Sequence, residues 1–246
     1  MTPIIDFLDC CGSTNSELAA RVDAPHGAVV ATREQSAGRG QRGNSWEAEP
    51  GKNLTFSLLL RPSRLPAARQ FELSMAVSLA IADAIDSLLP EGLHTSIKWP
   101  NDIYIGLEKV CGILIENKLA GSMIERSIVG VGINVNQQVF VSDAPNPTSI
   151  IIHNGGWSIE LKMFLSDVCA RIIGLFDAYE TSGKPAELKA AYMDRLMCTR
   201  GEHTFADAAH GTFEAHITDV DFDGTLTLSN GCRYAFKEVS FIIPRK

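Results

Sequence analysis

Long apolar runs are missing from this sequence, and none approaches the roughly 20 residues that a membrane-spanning helix needs. Missing too is a surplus of positive charge. Lysine and arginine number 22 against 29 aspartates and glutamates, a formal charge of -7, so a surface built to follow a nucleic-acid backbone is not expected. Cys10, Cys11, Cys111, Cys169, Cys198 and Cys232 have neither the spacing of metal ligands nor the density of a disulfide scaffold, which points to reduced thiols. The opening Met1-Thr2-Pro3-Ile4-Ile5-Asp6 lacks the basic start and apolar centre of a secretory leader, so the expected compartment is the cytoplasm. No internal repeat or low-complexity segment stands out.

What is present is an ordinary globular composition with one unusual stretch. In Gly38-Arg39-Gly40-Gln41-Arg42-Gly43, three glycines let the backbone come close to a ligand, and two arginines supply planar cations for carboxylate or phosphate oxygens. The string matches the dinucleotide fingerprint G-x-G-x-x-G, which requires a strand before it and a helix after it. Ala28 to Thr32 suits the strand. The following Asn44-Ser45-Trp46-Glu47-Ala48-Glu49-Pro50-Gly51 has Pro-Gly and no helical period, so the dinucleotide reading fails. A positive island for an anion remains, with a plain glycine-rich surface loop as the bland alternative.

Taken in order, residues 3–8 read as a strand. Thr14 and Glu17 have the spacing of a capping box for a short helix over 15–21, and Ser13, Thr14 and Asn15 together make a small polar lining. Strands follow near 28–33 and 54–60, then a long helix from Ala67 to Leu89. In Ser96-Ile97-Lys98-Trp99-Pro100-Asn101-Asp102-Ile103, the proline interrupts two β-like pieces and gathers Lys98, Asn101 and Asp102 at a bend. That group suits a phosphate, its metal ion and a flat base; a surface salt bridge beside an edge proline is the alternative.

Residues 109–116 and 127–136 read as neighbouring antiparallel strands. Gly130 and Gly132 share one face of the second, so either a ligand ring or another strand could lie flat there. Lys109 either snorkels to solvent or points into a site. Residues 140–157 read as loop, and helices are expected over 158–181 and 185–197. Thereafter come short strands over 211–217, 225–228 and 233–236, with Asp223-Gly224 and Asn230-Gly231 as hairpin turns. The expected division is 1–197 and 198–246.

The combination resembles the biotin protein ligases. It rests on Ser13-Thr14-Asn15, on Gln35 through Trp46, on Lys98-Trp99-Pro100-Asn101-Asp102, on Lys109-Val110-Cys111-Gly112-Ile113-Leu114 and on Gly130-Val131-Gly132-Ile133-Asn134. The resemblance implies an α+β fold, with a mixed-sheet catalytic domain like that of class II aminoacyl-tRNA synthetases and a small SH3-like C-terminal domain. It implies ATP-dependent attachment of biotin, through biotinyl-5′-AMP, to a lysine of a biotin carboxyl carrier protein. Ser13, Thr14, Asn15, Gln35, Gly38, Arg39, Gly40, Gln41, Lys109, Gly112, Gly130 and Gly132 are then the expected biotin residues. Arg39, Arg42, Trp46, Lys98, Asn101 and Asn134 fall to ATP, and Arg39, Lys98, Asp102 and Lys109 to catalysis, with Asp102 also a candidate ligand for Mg²⁺.

The chain departs from the family in two places. Many members carry arginine where this chain has Gln41, so a looser hold on the adenylate is expected. Bifunctional members place a winged-helix domain ahead of the Ser-Thr-Asn motif; here twelve residues precede Ser13, and no DNA binding is expected. A homodimer is implied by the family alone. The competing readings are a non-catalytic biotin or nucleotide sensor and a lipoate-type acyl ligase.

Overall fold

The computed structural model describes residues 2–38, 40, 46–141 and 146–245. Seven strands form one mixed sheet: β1 (Ile4–Cys11), β2 (Ala28–Gln35), β3 (Leu54–Leu60), β4 (Thr95–Lys98), β5 (Asp102–Ile105), β6 (Glu108–Ala120) and β7 (Met123–Ile133). Their spatial order is β1-β2-β3-β7-β6-β5-β4, with β1 and β2 parallel and every other neighbouring pair antiparallel. The expected antiparallel pair over 109–116 and 127–136 is the β6–β7 hairpin.

Alternation along the central strand explains the layering. Every residue of β3 is buried. Leu54, Phe56, Leu58 and Leu60 enter the main core, while Leu59 joins a second cluster with Leu18, Val30 and Ile128 on the opposite face. The main-core face is covered by α2 (Phe71–Asp86), α4 (Leu161–Ser182) and α5 (Pro185–Arg195). Each fully buried large apolar side chain there contributes about 1.5–3 kcal/mol. Among the described residues, the helix packed on the other face is the short α1 (Thr14–Ala20), at the β2–β3 side of the sheet.

Several expected boundaries move. The long helix over 67–89 is a 3₁₀ turn over Ala67–Arg69 followed by α2, and the loop over 140–157 contains α3 (Ile150–His153). The capping box does not form. Ser13 is the N-cap residue, and no side chain caps the helix. Thr14 Oγ1 instead donates to Gln35 Oε1 at 3.2 Å, because a buried hydroxyl here finds its partner on β2.

Beyond α5 lie β8 (His203–Asp207), β9 (Gly211–Ala215), β10 (Ile217–Val220), β11 (Leu226–Leu228), β12 (Arg233–Tyr234) and β13 (Val239–Phe241). They form two three-stranded sheets, β10-β11-β12 and β13-β8-β9. The single strand expected over 211–217 is two strands, broken at His216, and β8 and β13 carried too little alternation to be read. Asp223-Gly224 and Asn230-Gly231 do make the turns, with Gly224 and Gly231 at φ 96 and 83.

Trp99 ties this small β unit to the large sheet. It is buried, its Nε1 donates to Gly224 O at 3.0 Å, and its ring lies 5.3 Å from Phe236 and 6.3 Å from Phe241. Trp99→Ala is expected to cost about 3–5 kcal/mol of stability, measured as a lowered urea midpoint.

Candidate active site

The exposed face of the sheet is shaped by rows that cross its strands. Thr55 stands opposite Gly132, Gly132 opposite Gly112, Gly112 opposite Asp102 and Asp102 opposite Lys98. Side chains directly opposite each other in antiparallel pairs project to the same face. This row therefore runs from a hydroxyl, across two bare backbones, to a carboxylate and an ammonium. A second row joins Ser57, Gly130 and Leu114. The glycines are required by space. A Cβ on Gly130 would collide with Asn15 Oδ1, one on Gly132 with the Trp46 indole, and one on Gly112 would come within 3.0 Å of the same ring.

Above these rows lies a cleft of about 1040 Å³. Ser13, Thr14, Asn15, Gln35 and Gly40 line one end, and Lys98, Asn101, Asp102, Lys109 and Asn134 the other, with Gly112, Gly130, Gly132 and Trp46 between. Gly38 stands just behind Gln35, where a Cβ would lie 3.1 Å from Gln35 Nε2. Arg39, Gln41 and Arg42 lie outside the described residues.

At the polar end, Thr14, Asn15 and Ser57 are buried. Ser57 Oγ lies 2.8 Å from Thr14 Oγ1 and 2.5 Å from Asn15 Oδ1, and Gln35 Oε1 accepts from the Thr14 backbone N–H at 2.8 Å. Asn15 Nδ2 donates to Glu116 Oε2 at 2.6 Å. Neither Ser57 nor Glu116 was read from the sequence. The available signal for Ser57 was a hydroxyl between Phe56 and Leu58 in a largely apolar strand; for Glu116 it was an acid directly after the apolar run Ile113-Leu114-Ile115.

At the charged end, Lys109 Nζ lies 2.7 Å from Asp102 Oδ1 and 5.6 Å from the centre of the Trp46 ring. Strict alternation would send Lys109 to the same face as Cys111, into the core. A bulge prevents that: Ile103 faces Cys111 while the next residue, Tyr104, faces Lys109, so one extra residue of β6 is absorbed. Val110 and Cys111 both enter the core, and Lys109 turns into the cleft. Burial holds the Lys98 ammonium below the usual lysine range, with Asp102 pulling it partly back and Lys109 pushing it further down. Its Nζ also lies 4.7 Å from the centre of the Phe241 ring, so the C-terminal unit forms part of the wall.

Aromatic and amide groups around the cleft are partly engaged within the protein itself. The indole of Trp99 is tied to the C-terminal unit through Gly224 O and the Phe236 ring. The ring lying flat on the Gly112–Gly132 floor is the protein's own Trp46, whose buried Nε1 has no hydrogen-bond partner among the described residues. Asn101 Nδ2 donates to the Ile113 carbonyl and so latches β5 to β6. Asn134 Nδ2 donates to Thr148 O at 2.9 Å, and its buried Oδ1 has no partner among the described residues. Asp102 does not form a metal cage: no cluster of three or more His, Cys, Asp or Glu side chains fit to hold an ion occurs among the described residues. One carboxylate beside phosphate oxygens does suit Mg²⁺, which usually keeps several waters and takes one or two carboxylates.

The sheet is floored with glycine, polar at one end and cationic at the other, a cleft whose chemistry suits an extended ligand with a hydrogen-bonding head and an anionic tail. The profile of the Biotin/lipoate A/B protein ligase family matches residues 10–134, and the chain belongs to that family. It is 31% identical over 224 residues to the biotin–[acetyl-CoA-carboxylase] ligase of Paracoccus denitrificans, covering 88% of this chain and 90% of that one. It is 33% identical over 239 residues to the corresponding ligase of Mycobacterium tuberculosis, covering 93% and 84%. The bifunctional ligase/repressor BirA of Bacillus subtilis is 31% identical over 228 residues, 91% of this chain and 67% of BirA. In fold, the chain superposes on the biotin protein ligase of Aquifex aeolicus in complex with biotin and ATP with a TM-score of 0.78, at 23% identity, covering 98% and 99%.

Two outcomes follow from this geometry. A lysine whose folded value is lowered leaves the unfolded chain with more bound protons between the two values, so its contribution to stability rises with pH there. Lys98→Met is therefore expected to stabilise the fold at neutral pH, by a margin that shrinks as the medium turns alkaline, measured by urea midpoints. Gly132→Ala is expected to expel the Trp46 ring from the floor and shift its emission to the red, with Trp46→Phe as the subtraction control.

Proposed function

We propose that this chain activates the carboxylate of biotin with ATP and passes the biotinyl group to a lysine of a biotin carboxyl carrier protein. One observation carries the choice of substrate: the linked hydrogen-bonding groups of buried Thr14, Asn15 and Ser57 and half-buried Gln35 at one end of the cleft. Biotin's urea can satisfy such groups. The apolar dithiolane of lipoate would leave them unpaired, and a site built to hydrogen-bond discriminates strongly against an analogue that cannot.

In the first step a biotin carboxylate oxygen bonds to the α-phosphorus of ATP and pyrophosphate leaves. Both reactants are anions, so fixed positive charge lowers the barrier. Lys109, turned inward by the bulge, would bridge carboxylate and α-phosphate, and Lys98 would hold the remaining phosphates. Arg39 and Arg42 are assigned alongside them. In the second step the carrier lysine's neutral amine attacks the acyl carbon, AMP leaves and the amine loses a proton. Asp102 would orient that amine, and it would also hold Mg²⁺, which would supply charge neutralisation. Asn134, with its unpaired carbonyl oxygen, and Trp46 and Asn101 fall to the adenylate.

We further read residues 1–197 as the catalytic domain and 198–246 as a second domain that completes the phosphate end. Among the described residues no helix is long and apolar enough to cross a membrane. A cytoplasmic enzyme without DNA among its partners, working as a dimer, is part of the same reading.

Incubating the protein with ATP, Mg²⁺, biotin and a purified carrier domain is expected to add one biotinyl mass to the carrier. Lys109→Ala, still folded, is expected to slow transfer by about 10²–10³-fold. No added mass and no adenylate with the wild type would remove the proposal.

A further inference from the structure

Glu116 lies four residues along β6 from Gly112, roughly 13 Å away, and on the same face of the strand. It accepts from Asn15 Nδ2 at 2.6 Å. A carboxylate can only accept, so this contact decides which way the Asn15 amide points. Its Nδ2 is turned toward Glu116, and its Oδ1 is turned over Gly130, where it is the nearest atom to the missing Cβ. Ser57 supplies at most one hydrogen to that oxygen, at 2.5 Å, which leaves a second lone pair. Gln35 has the complementary polarity. Its Oε1 is consumed by Thr14, so its Nε2 is left as a donor.

We infer that Glu116 is a positioning residue for the ligand head: it fixes the Asn15 amide so that the cleft offers an acceptor at Asn15 and a donor at Gln35. A donor and an acceptor side by side match the N–H and C=O of a cyclic urea. Reversing the Asn15 amide would set its oxygen against the Glu116 carboxylate and a donor against the urea N–H. The inference rests on the biotin reading above.

Biotin binding by calorimetry and the KM for ATP distinguish this role from simple packing. Glu116→Lys demands the opposite amide orientation, because an ammonium can only donate. It is expected to weaken biotin binding roughly tenfold or more, the effect of one unsatisfied buried hydrogen bond, and to leave the KM for ATP within about twofold. Adding Asn15→Asp should restore binding to within a few-fold of the wild type, because a carboxylate presents oxygen on both sides and pairs with the new cation. Equal losses for biotin and ATP, biotin affinity unchanged in Glu116→Lys, or no recovery in the double variant would overturn the role of Glu116 while leaving the function intact. Failure of the wild type to bind biotin would overturn both.

Discussion

A sheet that is buried on one face by helices can carry chemistry on the other only if something keeps that face from filling with side chains. Here the constraint is the row Thr55, Gly132, Gly112, Asp102 and Lys98, contributed by five strands in consistent register. The two glycines lower the floor by the thickness of a side chain, and the charged pair closes one end. A one-residue slip of any strand would move its members of the row to the core face and send core side chains into the cleft. The main core, through Phe56, Leu58, Val129, Val131 and Ile113, opposes such a slip. Packing on one face thus determines chemistry on the other.

The bulge opposite Ile103 and Tyr104 breaks that register beside the row, and it falls where a cation is needed. Lys109 reaches the cleft only because β6 gains a residue there. Once inside, it meets Asp102 and lies near Lys98, whose ammonium is already weakened by burial. Two lysines held near one carboxylate leave net positive charge in a partly dry place. An anion entering the cleft meets that charge already oriented, so little reorganisation remains for the moment of reaction.

The small C-terminal β unit belongs to the same device. Phe236 packs on Phe71 of α2 and on Trp99 at the end of β4, and Phe241 places an aromatic face against Lys98. Trp99 therefore contributes to the site through its packing: it fixes the unit that walls the Lys98 end. The opposite end is closed by α1 and Gln35, so the cleft is bounded by segments that are far apart in the chain.

Much of this was legible in the residues themselves. Period and turn residues marked most strands and helices, because apolar alternation reports directly which face is buried. The bend at Pro100 and the paired glycines pointed to segments that line the cleft, because glycine and charge in apolar surroundings have few structural uses. The sequence could not show that Thr14 bonds to β2 instead of capping its helix, that Trp99 serves the C-terminal unit, or that Trp46 lies on the glycine floor. Nor could it show Glu116 directing Asn15 across a separation of 101 residues. Local pattern determined which segments would be buried and which would turn. The partners of buried polar groups were decided by tertiary structure alone, because a hydrogen bond depends on which atoms the fold brings within 3 Å, and sequence spacing carries no record of that distance.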